Sequence, residues 1–309
     1  MTHEHREVFQ IPETYVQRTT TNWGEAGKAW LQQLPTTLAE CARQWSLTLH
    51  PPFPNLSYNY VAPAERTDGT RAVIKAGLPQ DKEFLSEAEA LRVFNGQGMV
   101  QLLEFDRQKR VMLLERVEPG ITLRSISDTE QLITIAVQVM RRLWQPVDPT
   151  HPFLTVEGWG KGFERMRRLY SGTSGPLPSF LFDRAEASYA ELSQSMATRV
   201  LLHGDLHHDN MLTATRQAWL AIDPKGIVGE PAYETAPLLL NMFSKEDPQS
   251  YKVLARGIVQ LSEELGLDKK RIHGWALSRA VLSAIWNLED TEQGWEDDIA
   301  CAETLARIR

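Results

Sequence analysis

The stretch His203-Gly204-Asp205-Leu206-His207-His208-Asp209-Asn210, followed by Ile222-Asp223, decides how this chain is read. It comes directly after an apolar run, Val200-Leu201-Leu202, and a second apolar run, Trp219-Leu220-Ala221-Ile222, leads into Asp223. Both runs have the length of short buried strands. Paired as a hairpin, they would bring Asp205, Asn210 and Asp223 to one end. That locus would hold an anionic base and two hard oxygen ligands, and Gly204 would leave room for close backbone approach. The set matches what phosphoryl transfer asks of a protein: a group that orients the attacking hydroxyl, and oxygen ligands for a magnesium ion on the phosphates. Taken alone, Asp223-Pro224 is also an ordinary turn. The eight-residue loop is too particular for that.

Upstream, Asn22 to Leu49 carries apolar residues at helical spacing: Trp30, Leu31, Leu34, Leu38, Cys41 and Trp45. Pro51-Pro52-Phe53-Pro54-Asn55 ends that pattern. Leu56 to Ala62 and Arg71 to Ala76 then read as strands, joined by a turn at Thr67-Asp68-Gly69. Lys82 to Phe94 reads as a helix ended by Asn95-Gly96, and Gln101 to Asp106 and Val111 to Arg116 as a second strand pair. After a break at Glu118-Pro119-Gly120 the chain is mostly helical, with an exposed loop expected at Ser171 to Pro178. The fold class is therefore α+β: a small antiparallel-sheet lobe over residues 1–116 and a larger helical lobe over 117–309, with a cleft at the connector.

The loop sequence His203-Gly204-Asp205-Leu206-His207 through Asn210 resembles the catalytic loop of the aminoglycoside phosphotransferase family, which has a protein-kinase-like two-lobed fold. The segment Trp219 to Glu234, with Ile222-Asp223-Pro224-Lys225-Gly226 at its centre, resembles the streptomycin 6-kinase branch, grouped as aminoglycoside/hydroxyurea resistance kinases. The likeness runs from about residue 55 to Trp286-Asn287-Leu288-Glu289-Asp290; residues 1–50 carry little of it. It implies ATP and a magnesium ion as cofactors. Asp205 would then be the catalytic aspartate, and Asn210 and Asp223 the metal ligands. Lys75, in Ala72-Val73-Ile74-Lys75, resembles the strand lysine that holds the ATP phosphates, with Glu87 as its acidic partner by family spacing and Glu89 as the alternative. Ser57 and Asn59 fall where the family has its phosphate-covering loop. Leu113 to Val117, with Arg116 and Val117 at its end, resembles the connector whose backbone bonds adenine.

Other patterns lead nowhere. His203, His207 and His208 lack the glutamate of a zinc-binding His-Glu-x-x-His helix and read as scaffold. Gly96-Gln97-Gly98 lacks a third glycine and follows a helix; Gly160-Lys161-Gly162 has no Ser or Thr after the lysine. No Asp-Phe-Gly follows the loop, which argues against a protein kinase.

The net charge of −7 disfavours sequence-independent binding to nucleic acid or an anionic membrane. No apolar run approaches membrane length, and the first ten residues are polar, so a cytoplasmic protein is expected. Cys41 and Cys301 form no redox or disulfide pattern and read as reduced thiols. A monomer or weak homodimer acting on a small molecule is expected.

The acceptor side is less legible. After Trp286 come Glu289, Asp290, Glu292, Glu296, Asp297, Asp298 and Glu303, with no lysine or arginine among them. Such a run suits a polycationic aminoglycoside or is simply a solvated helix face. Glu230 and Glu234 would border the same pocket, and Trp159 and Trp286 either wall it or pack in the core. Three readings follow: a kinase for a streptomycin-like aminocyclitol, a metabolic kinase for an amino alcohol or sugar, and a nucleotide-binding module without catalysis.

Overall fold

The computed structural model describes residues 11–81, 83–148, 150–290 and 293–308. The polar N-terminal stretch, Lys82 and Glu292 lie outside the described residues. Two compact units divide the chain, Met1–Val117 and Glu118–Arg309.

The first unit is built on a five-stranded antiparallel sheet. Its strands are β1 (Leu47–Leu49), β2 (Tyr60–Arg66), β3 (Arg71–Ala76), β4 (Leu102–Asp106) and β5 (Val111–Glu115), in spatial order β1-β2-β3-β5-β4. Helix α1 (Glu13–Gln44) covers one face. Its Leu31, Leu34, Leu38 and Cys41 recur at helical spacing and pack on Ala62, Ala64, Ile74 and Leu113 of the strands. The helix is broken at Gly24, whose φ of 54° and ψ of −133° are not helical.

The helix expected to reach Leu49 stops at Gln44. Ser46 takes a positive φ of 55°, and Leu47–Leu49 joins the sheet edge, pairing with Arg66, Glu65 and Ala64. The strand expected from Leu56 starts only at Tyr60. Three prolines between residues 51 and 54 fix φ and remove N–H donors, so residues 51–59 have no regular structure. The turn at Asp68-Gly69 forms as expected, with Gly69 at a φ of 84°.

Because side chains alternate along a strand, Lys75 points away from the face that holds Ile74 and Ala76. On that side lies α2 (Glu83–Phe94). Gly77 permits the approach: a Cβ there would stand 2.3 Å from the Phe84 ring.

The second unit is mostly helical: α3 (Thr129–Leu143), α4 (Val156–Leu169), α5 (Ser179–Gln194), α6 (Pro231–Asn241), α7 (Ser250–Leu265), α8 (Lys269–Asp290) and α9 (Trp295–Arg307). Helix α8 is central and packs on α4, α5, α6, α7 and α9. Its buried residues include Ile272, Trp275, Leu277, Val281 and Leu282, a distribution too wide for a one-faced helix. Gly162 of α4 lets α8 come close, since a Cβ would stand 2.6 Å from Leu282. That is the role of the glycine in Gly160-Lys161-Gly162. The expected exposed loop at 171–178 is anchored by Ser174 and Leu177, both buried.

Two three-stranded sheets complete this unit. One holds β6 (Pro119–Thr122), β9 (Met211–Ala214) and β10 (Trp219–Ala221), in order β10-β9-β6. The other holds β7 (Leu154–Thr155), β8 (Val200–Leu202) and β11 (Ile227–Gly229), in order β7-β11-β8. The hairpin expected between Val200–Leu202 and Trp219–Ile222 therefore does not form. β8 pairs antiparallel with β11, and β10 pairs antiparallel with β9.

Candidate active site

Two different pairings bring the loop residues together. In the β9–β10 ladder Met211 stands opposite Ala221, and the Ile222 N–H donates to the Asn210 carbonyl at 3.0 Å. Asn210 and Asp223 thus leave the same end of one ladder. In the β8–β11 pair, the His203 carbonyl accepts from Lys225 N–H at 2.8 Å and Gly226 N–H at 3.3 Å. The loop after β8 is thereby tied to the residues just beyond Asp223. The Asn210 amide Nδ2 donates to the Asp205 carbonyl at 2.9 Å. That bond leaves Oδ1 as the atom Asn210 can offer a hard cation. Asp223 has a φ of 61°, a left-handed conformation that Asp tolerates better than most residues.

His203 is fully buried and acts as a peg. Its Nδ1 accepts from the Asp205 N–H at 3.2 Å, so its Nε2 carries the proton and donates to the Ile222 carbonyl at 2.7 Å. Burial lowers its pKa to about 4, which keeps the ring neutral at pH 7. Gly204 follows at a φ of 87°; a Cβ there would stand 2.6 Å from Ile227 and 3.2 Å from the Trp159 ring. His208 is also pushed down to about 4, by burial and then by Arg124. Arg124 makes a bidentate pair with Asp209 of the loop at 2.8 and 2.6 Å.

Glu234 has another place than the substrate-facing one expected from sequence. It is fully buried, and its two oxygens accept the His203 N–H at 2.6 Å and the Gly204 N–H at 2.9 Å. Burial raises its pKa to about 7 against the pull of those two donors. Its task is to hold the backbone that carries Asp205. Glu230 is likewise engaged. It accepts from Arg271 Nε at 2.9 Å and from the Trp275 indole N–H, and it ties the start of α6 to α8.

Asp205 is partly exposed and faces two basic side chains, neither in hydrogen-bond contact. His207 Nε2 is 3.8 Å from Oδ2, and Arg279 Nη2 is 4.0 Å from Oδ1. Arg279 lies on α8 and is only 7% exposed. Its guanidinium sits 4.2 Å from the Trp286 ring centre and 5.2 Å from that of Trp159. The two indoles meet edge to face at 5.2 Å. Each such cation–ring contact is worth about 0.5–2 kcal/mol, only part of what it costs to bury a cation. The sequence reading passed over Arg279. The available signal was an arginine on the apolar run Trp275 to Ile285.

In the first unit, Lys75 Nζ donates to both Glu87 oxygens at 2.6 and 2.7 Å, and both side chains are buried. Glu89, the alternative partner, bonds Arg92 and Arg107 instead. Ser57 is exposed, and the Asn59 Oδ1 is buried without a hydrogen-bond partner. The stretch they stand on is held from behind by α1: Tyr15 Oη donates to the Tyr58 carbonyl at 3.1 Å, and Arg18 to the Leu56 carbonyl at 2.5 Å. Leu113, Leu114 and Glu115 are not a connector. They belong to β5, whose backbone pairs with both β3 and β4, so only Arg116 and Val117 of the expected segment follow the strand.

Two acids of the run near the C-terminus, Glu289 and Asp297, are paired with bases distant in sequence. Arg165 of α4 grips Glu289 at 3.0 and 2.8 Å. Lys245 pairs with Asp297 at 2.5 Å. The Asn287 amide donates to Asp298 at 2.6 Å, and burial raises that carboxyl. Asp290 closes α8 and is exposed. Among the described residues, no group of three or more His, Cys, Asp or Glu side chains is arranged to hold a metal. Asn210 and Asp223 still fit a magnesium ion, which takes one or two protein oxygens and draws its other ligands from water and phosphates.

Known proteins fit this architecture. A streptomycin 6-kinase of Streptomyces glaucescens is 33% identical over 92% of this chain and 92% of its own length. A hydroxyurea phosphotransferase of Kitasatospora aureofaciens is 31% identical, over 96% of this chain and 86% of its own. Among solved structures, the choline kinase LicA of Streptococcus pneumoniae superposes with a TM-score of 0.63 at 14% identity, covering 89% of this chain and 99% of that one, a likeness of fold. The family model described as aminoglycoside/hydroxyurea antibiotic resistance kinase matches residues 45–291. The chain belongs to that family, has the protein-kinase-like fold, and is a phosphotransferase that uses an alcohol group as acceptor.

Proposed function

We propose that the protein transfers the γ-phosphoryl group of ATP to a hydroxyl of a streptomycin-like aminocyclitol, with Asp205 as the catalytic base. The observation that carries this is the convergence of Asp205, Asn210 and Asp223 through two separate strand pairings, braced from below by Glu234. ATP with magnesium would supply the phosphoryl group and the positive charge that offsets its phosphates. Asn210 and Asp223 would hold the metal. Lys75, kept extended by Glu87, would hold the phosphate chain, and the stretch that carries Ser57 and Asn59 would cover it. The backbone at Arg116 and Val117 would meet the adenine. The acceptor hydroxyl gives its proton to an oxygen of Asp205 as its own oxygen bonds to the γ-phosphorus. The phosphorus–bridging-oxygen bond breaks, and its electron pair leaves on ADP.

The streptomycin assignment draws on the streptomycin 6-kinase relative. A second reading, a small uncharged acceptor such as hydroxyurea, is favoured by a specific observation. Of the acids expected to meet a polycation, Glu230, Glu289, Asp297 and Glu234 are held by Arg271, Arg165, Lys245 and backbone N–H groups, while a cation stands beside Asp205. Incubation with ATP, magnesium and each acceptor, read as ADP release and a phosphorylated product, decides between them. Asp205→Asn is expected to lower turnover by about 10²–10⁴-fold with the fold intact. Full activity in that variant would remove the proposed base.

A further inference from the structure

A buried guanidinium normally closes on a carboxylate at about 2.7–2.9 Å. Arg279 does not, although it is nine-tenths buried and Asp205 is its neighbour. Its Nε and Nη1 are buried with no hydrogen-bond acceptor. It lies over the ring faces of Trp286 and Trp159, 4.2 and 5.2 Å from their centres. The remaining nitrogen, Nη2, stands 4.0 Å from Asp205 Oδ1. That gap is too long for a bond between them and suits one oxygen between them. An atom about 2.8 Å from each would see the two at an angle of about 90°, close to the spread of a hydroxyl's proton and lone pair.

We infer that Arg279 is an acceptor-binding residue that orients the nucleophile: the reacting hydroxyl donates to Asp205 and accepts from Arg279 Nη2. This inference rests on the proposed role of Asp205. One lone pair of the oxygen is occupied by Nη2, the proton points at the carboxylate, and the second lone pair remains for the phosphorus. As the proton passes to Asp205, Nη2 stabilises the charge that grows on the oxygen. The same fixed cation sets a preference. Trp159 and Trp286 already carry a positive group, so they are not free to cradle an ammonium or guanidinium of the substrate. A positive group on the atom next to the reacting hydroxyl is repelled, whereas a neighbouring carbonyl or hydroxyl oxygen is attracted. The favoured acceptors are those uncharged around the hydroxyl that reacts.

The test compares the wild-type protein with Arg279→Met and Arg279→Lys on two acceptors, hydroxyurea and streptomycin. Methionine fills a similar volume against the two indoles, and lysine keeps the charge. Arg279→Met should lower kcat/KM for hydroxyurea at least 10-fold, leave the KM for ATP within 2-fold, and shift the streptomycin-to-hydroxyurea preference toward streptomycin. Arg279→Lys should recover part of the loss. A merely structural arginine would instead depress both acceptors equally together with the thermal midpoint, and that result overturns the inference, as does an unchanged acceptor KM with a raised ATP KM. If the wild-type protein phosphorylates neither acceptor, the proposed function fails by itself. Ligand-observed NMR titration of hydroxyurea against the wild-type and Arg279→Met proteins still tests Arg279, and equal affinities would defeat it.

Discussion

Two cation–carboxylate pairs in this protein are built in opposite ways. Lys75 and Glu87 are closed, with both carboxylate oxygens within 2.7 Å of one ammonium and both side chains out of water. Arg279 and Asp205 are held open at 4.0 Å, the arginine by ring faces and the aspartate at the end of a strand-anchored loop. A closed pair fixes the position of its own two groups. An open pair keeps hydrogen-bonding capacity for a third atom. The difference separates a part that only has to be in place from a part that has to react.

The sharpest way to break the comparison is at the closed pair. Removing one partner of a buried ion pair costs about 3–5 kcal/mol, because the other charge stays behind. Glu87→Leu should lose that much unfolding free energy in a denaturant titration. The double variant Lys75→Met/Glu87→Leu should recover most of it, since no lone charge remains. Equal losses in the single and double variants would mean the pair is not coupled.

Glu234 sharpens the open side, because it holds the backbone from which Asp205 projects. Burial raises its carboxyl to about 7, above the ordinary value of 4.5, so the folded protein binds a proton that the unfolded chain has released. The stability from that proton is full at low pH and is lost as pH rises from about 4.5 through about 7. At ~1.4 kcal/mol per unit, the change is roughly 3 kcal/mol. The stability difference between wild type and Glu234→Gln should therefore vary across that window in urea titrations. A difference that stays constant with pH would remove this account of Glu234.

The smallest effect belongs to a pair that is closed but exposed. Arg165 and Glu289 meet at 2.8 Å with side chains 42% and 27% accessible. Exposed pairs contribute ~0–1 kcal/mol. Glu289→Gln should shift the melting midpoint little and leave the acceptor KM unchanged. A severalfold rise in the KM for streptomycin would return Glu289 to the substrate side.

Residue type and local spacing carried most of the reading. The Asp68-Gly69 turn, the helix closing at Phe94 and the contrast between a sheet-based unit and a helical one were legible. So was the catalytic loop, because its chemistry is packed into consecutive residues. The strand partners around it were not. β8 and β10 are three residues each, and nothing local says whether a strand that short pairs with the next run or with one further on. The same gap misplaced the acids. Glu230, Glu234 and Glu289 look free in sequence because their partners come from other elements: Arg271, the 203–204 backbone and Arg165.

What the sequence determined alone is the family, the fold class and the loop with Asp205, Asn210 and Asp223, since motif and periodicity depend on near neighbours in the chain. What tertiary structure decided is which charges are spent and which are kept. Glu87 rather than Glu89 meets Lys75, and Arg279 is stopped short of Asp205. Those outcomes depend on distances between residues far apart in the chain. Burial then decides what each distance means, because low dielectric makes a closed pair rigid and leaves an open one in want of a partner.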